Sequence, residues 1–409
     1  MHSPSRPTSF WIPVAAASLL LAASMGSRSA MGLFLGPINT ATGLGAGTVS
    51  LAIAAGLLAF GAAQPAWGAW ERRAGATRVI ALGCIGSGAS LALLTVSGGS
   101  VELGTVMLLG GAAGAALGAP LLMGMVAQRV PVERHGLAMG VVSAGSSAGQ
   151  LAYSMLGAVL ISAVGWQSTL LAFAATVLAV APLARIFRSR PFTELPAAPG
   201  AASAATVRDA LADPGYWLVS AGFFVCGFHV SFLTTHMPGV IELCGLPPTF
   251  SGLWLAVVGA CNIVGSLAAG WLMQRAPVKL LLAGVYALRA LGVAAFIALP
   301  ASQPLLLAFA LWMGLTYMAT LPLTTGILTR RYGARNLAVL FGITMAMHQV
   351  GSFLGVWLGG VEFEASGAYR WTWLGDILLA TAAALVHLPL RDEQPEVAKT
   401  ALAAPLPAR

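Results

Sequence analysis

Eight polar residues stand inside long apolar runs: Arg28, Gln150, Tyr153, His229, Asn262, Tyr317, His348 and Gln349. A polar side chain surrounded by hydrocarbon is costly unless it meets a partner or a wet cavity. Arg28 sits in "LAASMGSRSAMGLFLGPI", residues 21–38, with no acidic residue near it in sequence. Its guanidinium stays charged, and its planar fork suits a carboxylate in bidentate contact. The amides of Gln150, Asn262 and Gln349 and the hydroxyls of Tyr153 and Tyr317 can orient a ligand. The imidazoles of His229 and His348 titrate near neutral pH and can carry a proton. This is the chemistry of reversible anion binding, without bond making. Each residue also has a structural role open to it. The amides can be interhelical glue, the tyrosines and histidines packed and hydrogen-bonded, and Arg28 one member of a fixed ion pair. His236 lies seven residues after His229, on the same helical face, and nearer the outer end.

The elements that must position these groups follow from composition. The chain of 409 residues is 58% hydrophobic and 8% charged, with a mean hydropathy of +0.84. Soluble domains carry roughly 25% charged residues, so an all-α polytopic membrane protein is expected. A net charge of +8 comes without a basic cluster interleaved with aromatics, which excludes nucleic acid as a partner. Four cysteines, Cys84, Cys226, Cys244 and Cys261, show no CxxC or metal-ligand spacing and read as buried free thiols. No metal and no cofactor is implied.

A spanning helix needs about 20 apolar residues. Twelve such runs are predicted: 10–34, 47–70, 78–97, 102–128, 136–163, 167–187, 214–240, 249–274, 279–299, 304–330, 336–361 and 371–390. The first run resembles a signal peptide, but apolar sequence continues past Arg28 through "MGLFLGPI", which fits a span instead. With the N-terminus in the cytoplasm, 18 of the 21 Lys and Arg residues fall on inside segments and only Arg370 outside; Arg28 and Arg289 lie within spans. The positive-inside rule then puts both termini in the cytoplasm. Among the spans, Arg289 and Asp376 are expected to neutralise each other away from any cavity. Span four carries "GGAAGAALGAP" and span five five glycines, surfaces that let helices approach closely. Pro37 and Pro65 are placed to bend spans one and two.

The longest hydrophilic connection divides the chain six spans to six: a bundle over 1–188, a linker over 189–213, a second bundle over 214–391 and a disordered tail over 392–409. Within the linker, "TVRDALAD" suggests a short helix capped by Thr206. The halves repeat. Loops beginning at Gly68 and Gly270, and others beginning at Ala127 and Thr329, share an offset of 202 residues. Repeated halves are a common plan of secondary transporters, with the site at the midplane between them.

The loops "GAWERRAGATR" and "GWLMQRAPVK" resemble the G-x-x-x-D-R-x-G signature of the major facilitator superfamily. Arg73, Gly75 and Arg275 fit. Arg72 stands where the family has aspartate, and Gln274 and Pro277 depart in the second copy. The resemblance implies two pseudo-symmetric six-helix bundles, and a weakened brace between their cytoplasmic ends. "CGFHVSFLTTHMPGV", "GACNIVGSLAAGW" and "MHQVGSFLGVWLGG" resemble the branch near monocarboxylate transporters and oxalate–formate exchangers. That branch implies small organic anions, often proton-coupled. Asn262 matches the first residue of the span-eight pair of monocarboxylate carriers. Ser266 replaces their arginine, which counts against lactate-like substrates. In the superfamily's arrangement, the eight candidates all fall on cavity-lining spans.

No G-x-x-x-x-G-K-[ST] motif is present, so nucleotide does not drive the protein. The expected function is alternating-access transport of a small, monocarboxylate-like anion across the inner membrane, with a proton as co-ion, by a monomer in the lipid bilayer. Multidrug-type efflux of a hydrophobic neutral or cationic compound is the alternative. An enzyme would need clustered carboxylates or a His/Cys/Asp set, and a sensor an appended soluble domain.

Overall fold

In the computed structural model of the protein, residues 8–131, 134–188, 207–333 and 336–390 are described. All of their regular structure is helical. The first half contains α1 (Thr8–Ser29), α2 (Gly32–Thr42), α3 (Ala46–Ala74), α4 (Ala76–Leu93), α5 (Ser100–Gly114), α6 (Ala119–Ala127) and α7 (His135–Ala179). The second contains α8 (Val207–Ala212), α9 (Pro214–Leu243), α10 (Pro248–Leu272), α11 (Val278–Ala298), α12 (Gln303–Thr316), α13 (Thr320–Tyr332), α14 (Leu337–Ser366) and α15 (Arg370–His387). Helix α8 occupies the place read for the short linker helix. Thr206, the rest of the linker and the C-terminal tail lie outside the described residues.

Among the described residues, ten helical stretches are long and apolar enough to cross a membrane. One of them, Leu137–Phe187, has 51 residues and is not one rod. In a straight helix residues 153 and 176 would lie about 35 Å apart. Instead the Tyr153 hydroxyl and Thr176 Oγ1 are 2.6 Å apart. The chain reverses at Gly165, whose φ of 83° and ψ of 164° suit only glycine. The reversal falls between the two spans that hydropathy separates there. Helix α15 has 18 residues and carries Arg370 and Asp376, and is not among the ten.

Two apolar runs are broken at matching positions. Helix α5 ends at Gly114, a 3-10 turn covers Ala115–Leu117, and α6 starts at Ala119. In the second half α12 ends at Thr316 and α13 starts at Thr320. The cause is legible in "GAPLLMG" and "TLPLTTG". Pro120 and Pro322 stand 202 residues apart, the offset of the repeat. A proline lacks the N–H for the i−4 bond, and its ring crowds that carbonyl. The helix must therefore restart on the proline's N-terminal side. Helix α1 also ends one residue after Arg28, and α2 resumes at Gly32.

Glycine lets the halves close on each other. A methyl group built on Gly32 of α2 would collide with the Thr234 carbonyl of α9. Gly61 of α3 lies under Gln349 of α14, and Gly259 of α10 faces Ser147 and Gln150 of α7. Nearer the end remote from Thr8 and Leu390, the Glu364 carboxylate accepts a 2.7 Å hydrogen bond from the Gly47 N–H across the interface. In the other direction the halves part. Gly68, Gly140, Gly270 and Gly342 lie two or three turns from Gly61, Ser147, Gly259 and Gln349, on the same helical faces. A side chain added at any of those four meets nothing within 4 Å. The bundle is therefore shut at one end and open at the end of Thr8 and Leu390.

Candidate functional site

Arg28 lies in the last turn of α1 at the depth of the breaks. Its guanidinium carbon sits 3.5 Å from the centroid of the Phe60 ring on α3. Its Nη1 points to Met25 Sδ at 3.6 Å. Among the described residues no carboxylate pairs with it. The ring covers one face of the guanidinium, a cation–π contact, and leaves the in-plane N–H fork as its polar edge. Across the interface, Tyr317 is within Coulombic reach of Arg28, and its hydroxyl lies against Thr234 of α9.

Tyr317 belongs to the break between α12 and α13, where backbone groups lose their helical partners. Two side chains answer them. Arg289 of α11 donates through Nη2 to the carbonyls of Thr316 (2.6 Å) and Tyr317 (2.7 Å). Asn262 of α10 accepts from the Met318 N–H at 3.1 Å. The same amide accepts from Ser266 and donates to Ser147 of α7 in the other half. Asn262 is thus a clamp that reads the backbone of the break and spans the interface. Ser266, at the position where the monocarboxylate branch has arginine, completes that clamp.

The remaining candidates divide. Gln150 is 4% exposed at the α7–α10 contact, and its Nε2 has no partner. Gln349 is equally buried on the α3–α14 contact. His348 packs on Phe223, its Nδ1 reaches Gln349 and Ser352, and its Nε2 is unpartnered. Tyr153 does not join the interface. Its ring stacks edge-on against Phe173 and its hydroxyl is taken by Thr176, both in the same half. His236 is buried against Phe232 and Tyr369, with Nε2 on the Val356 carbonyl at 2.8 Å.

The expected partnership of Arg289 with Asp376 is not a direct contact, although the two lie within Coulombic reach. Asp376 makes a hydrogen bond with His229, Nδ1 to Oδ2 at 2.7 Å, with side chains 1% and 0% exposed. Arg289 gives its hydrogen bonds to carbonyls instead. The break in the chain's tenth apolar run supplies carbonyls that have lost their helical donors, within reach of Nη2. The reading of four buried thiols is also corrected, since Cys244 is exposed and Cys261 half-buried.

Sequence reasoning missed Gln64 and Trp67 of α3. The Gln64 amide lies beside Gly118, at the first-half break. Trp67 Nε1 donates to the Ala112 carbonyl at 2.6 Å, a group just before that break. An amide directly before Pro65 in "AAQPAWG" was the available signal. Phe60 carried none, because a phenylalanine in an apolar run looks like packing.

The sequence profile of the Major Facilitator Superfamily matches residues 17–291 and 244–408. The chain belongs to that superfamily. It is 26% identical over 275 residues to the Bacillus subtilis protein named "Uncharacterized MFS-type transporter YcxA", covering 63% of this chain and 65% of that one. It is 26% identical over 264 residues to rat monocarboxylate transporter 13, covering 63% and 60%. The matched stretch thus spans under two thirds of these relatives' own length. A bacterial homologue of the human lysosomal transporter Spinster, solved inward-facing and occupied, superposes with a TM-score of 0.77 at 16% identity, covering 94% of this chain and 97% of that one. The likeness shows the fold.

Proposed function

We propose that the protein carries a small, monocarboxylate-like organic anion across the cell (inner) membrane by alternating access, coupled to protons. Twelve spans in two bundles of six serve this, counting Leu137–Phe187 as two and α15 as the last, with both termini cytoplasmic. One observation carries the reading. Arg28 holds a guanidinium at mid-depth, beside the parted interface, with an aromatic ring on its face and no carboxylate on its edge. A membrane-embedded cation with no fixed counterion is best neutralised by a visiting one. A carboxylate in the guanidinium plane meets two N–H donors at once, and Tyr317 offers a hydroxyl from the other half. Movement is the rocking of one half on the other. The end that is shut, at Gly32, Gly47 and Gly360, opens as the parted end closes. The relatives named as monocarboxylate transporters support the substrate class.

The test is uptake of radiolabelled pyruvate, lactate and oxalate into proteoliposomes of the purified protein. At least one is expected to be carried, and Arg28→Gln to lose at least about a hundredfold of that rate while its yield and elution profile hold. Unimpaired transport by Arg28→Gln removes the assigned role. Carriage of cationic dyes in place of all three acids favours the efflux reading.

A further inference from the structure

The second half encloses charge that the anion site does not use. Asp376 of α15, His229 of α9 and Arg289 of α11 are each at most 1% exposed. Asp376 gives one oxygen to His229, and its Oδ1 has no partner. Arg289 uses Nη2 alone; Nε and Nη1 are unpartnered. Asp376 lies within Coulombic reach of Arg289.

The other titratable groups packed around this cluster are few and already engaged. On α9, the Cys226 thiol is 3.1 Å from the Thr320 hydroxyl and within reach of Arg289. On α11, the Tyr286 hydroxyl donates to the Gly222 carbonyl at 2.5 Å. On α15, His387 Nδ1 is 2.6 Å from the Ala383 carbonyl, and its ring stacks on Tyr286. On α14, His348 faces Cys226 from the interface side. At the break Tyr317 contributes its hydroxyl. Asp376 is the one carboxylate among them, so Arg289 and Asp376 balance each other when His229 is neutral.

We propose that the His229–Asp376 pair is the binding site of the coupling proton, and that Arg289 links it to the broken segment that faces the anion. This rests on the anion-carrier reading above. A proton added to the pair leaves the cluster with one positive charge in excess, beside a guanidinium and away from water. That state is unfavourable alone and is relieved by an anion arriving at Arg28 and Tyr317. Arg289 touches both events, because the group that feels Asp376 also grips the Thr316 and Tyr317 carbonyls. Proton and anion therefore each raise the other's affinity, as linkage requires. One proton enters with each monocarboxylate, so loading adds no net charge to the carrier. Asn262, at the position of the acidic or amide residue in the monocarboxylate branch, is a backbone clamp and takes no part in protonation.

Proteoliposomes test this with pyruvate, in two modes. An inward proton gradient is expected to speed wild-type uptake about tenfold. In Asp376→Asn that stimulation falls below twofold, while pyruvate counterflow at equal pH stays within threefold of wild type. Asp376→Glu restores part of the gradient response. Gradient stimulation that survives in Asp376→Asn overturns the assignment. So does loss of counterflow in step with it, since that marks a purely structural role. A second measurement needs no substrate: thermal unfolding of the detergent-solubilised protein between pH 5 and 8. The wild type is expected to show a pH-dependent step that both His229→Gln and Asp376→Asn flatten, and unchanged profiles overturn the site. If wild type carries none of the three acids, the anion reading fails, and this second measurement still decides the proton site.

Discussion

Arg28 and Arg289 lie at similar depth in opposite halves, and their surroundings differ in kind. Arg289 is held by two backbone carbonyls and balanced by a buried carboxylate. Arg28 has an aromatic ring, a thioether and no acceptor oxygen among its described contacts. The first arrangement ties one guanidinium nitrogen to the backbone; the second gives no nitrogen an acceptor oxygen. Burial alone therefore does not identify a substrate-binding arginine. What separates the two is whether the fold has supplied the acceptors. The breaks show the same division. In the first half the restart at Pro120 is met by the neutral side chains of Gln64 and Trp67, while in the second the restart at Pro322 is braced by the charged Arg289 together with Asn262. The first break lies against Phe60, the ring that covers Arg28, and the second presents Tyr317 to the same arginine.

The comparison breaks most severely at Arg289. Replacing it with Gln leaves two carbonyls under-satisfied and Asp376 without its compensating charge. Hydrogen bonds to a charged group are worth about 1.5–3 kcal/mol each, and two buried ones are lost. Arg289→Gln is expected to lower the detergent Tm by many degrees or abolish expression. The double variant with Asp376→Asn recovers part of the loss. Arg28→Gln removes a cation–π contact only, and its Tm is expected to stay within a few degrees of wild type. Equal Tm losses in the two single variants would erase the distinction.

Much of this frame is legible without coordinates. Hydropathy sets the spans because backbone groups in lipid must be satisfied within a helix. The offset of 202 residues aligns not only the loops but also Pro120 with Pro322. The partners are not legible. His229 and Asp376 are 147 residues apart, and only helix packing decides which buried carboxylate meets which base. Tyr153 shows the same limit. Its place on α7 fits a cavity-lining helix, yet its ring turns toward Phe173 and Thr176, a contact created by the reversal at Gly165.

A smaller effect sharpens the description of Arg28. Phe60→Leu keeps an apolar side chain of similar length but removes the ring face. The cation–π contribution is about 1 kcal/mol at a partly desolvated site. Stability is expected to fall by about that amount, and KM for the transported acid to rise several-fold with kcat little changed. The same substitution at Phe296, which stacks on Phe309 at 4.3 Å remote from Arg28, is the control. It should alter Tm and leave KM alone.

The smallest effect comes from a third arginine, one with a carboxylate already in place. At the N-terminus of α9, Asp213 accepts from Arg331 Nη2 at 2.6 Å, the Tyr332 hydroxyl at 2.8 Å and the Gly215 N–H at 2.8 Å. Partial burial works against ionisation of Asp213, but the hydrogen bonds from Tyr332 and Gly215 and the Arg331 charge outweigh it and hold its carboxyl below the usual carboxylate range. A carboxyl depressed by folding stabilises fully above its unfolded pKa of about 4, and that contribution fades as pH falls through the lower folded value. The pair is partly exposed, 14% and 29% for its two side chains, so its worth is about 1 kcal/mol after screening. Asp213→Asn should cost that much at pH 7, and less at 1 M salt. The gap to wild type should narrow only below about pH 4. Transport driven by the proton gradient should be unchanged, because this arginine's counterion is permanent.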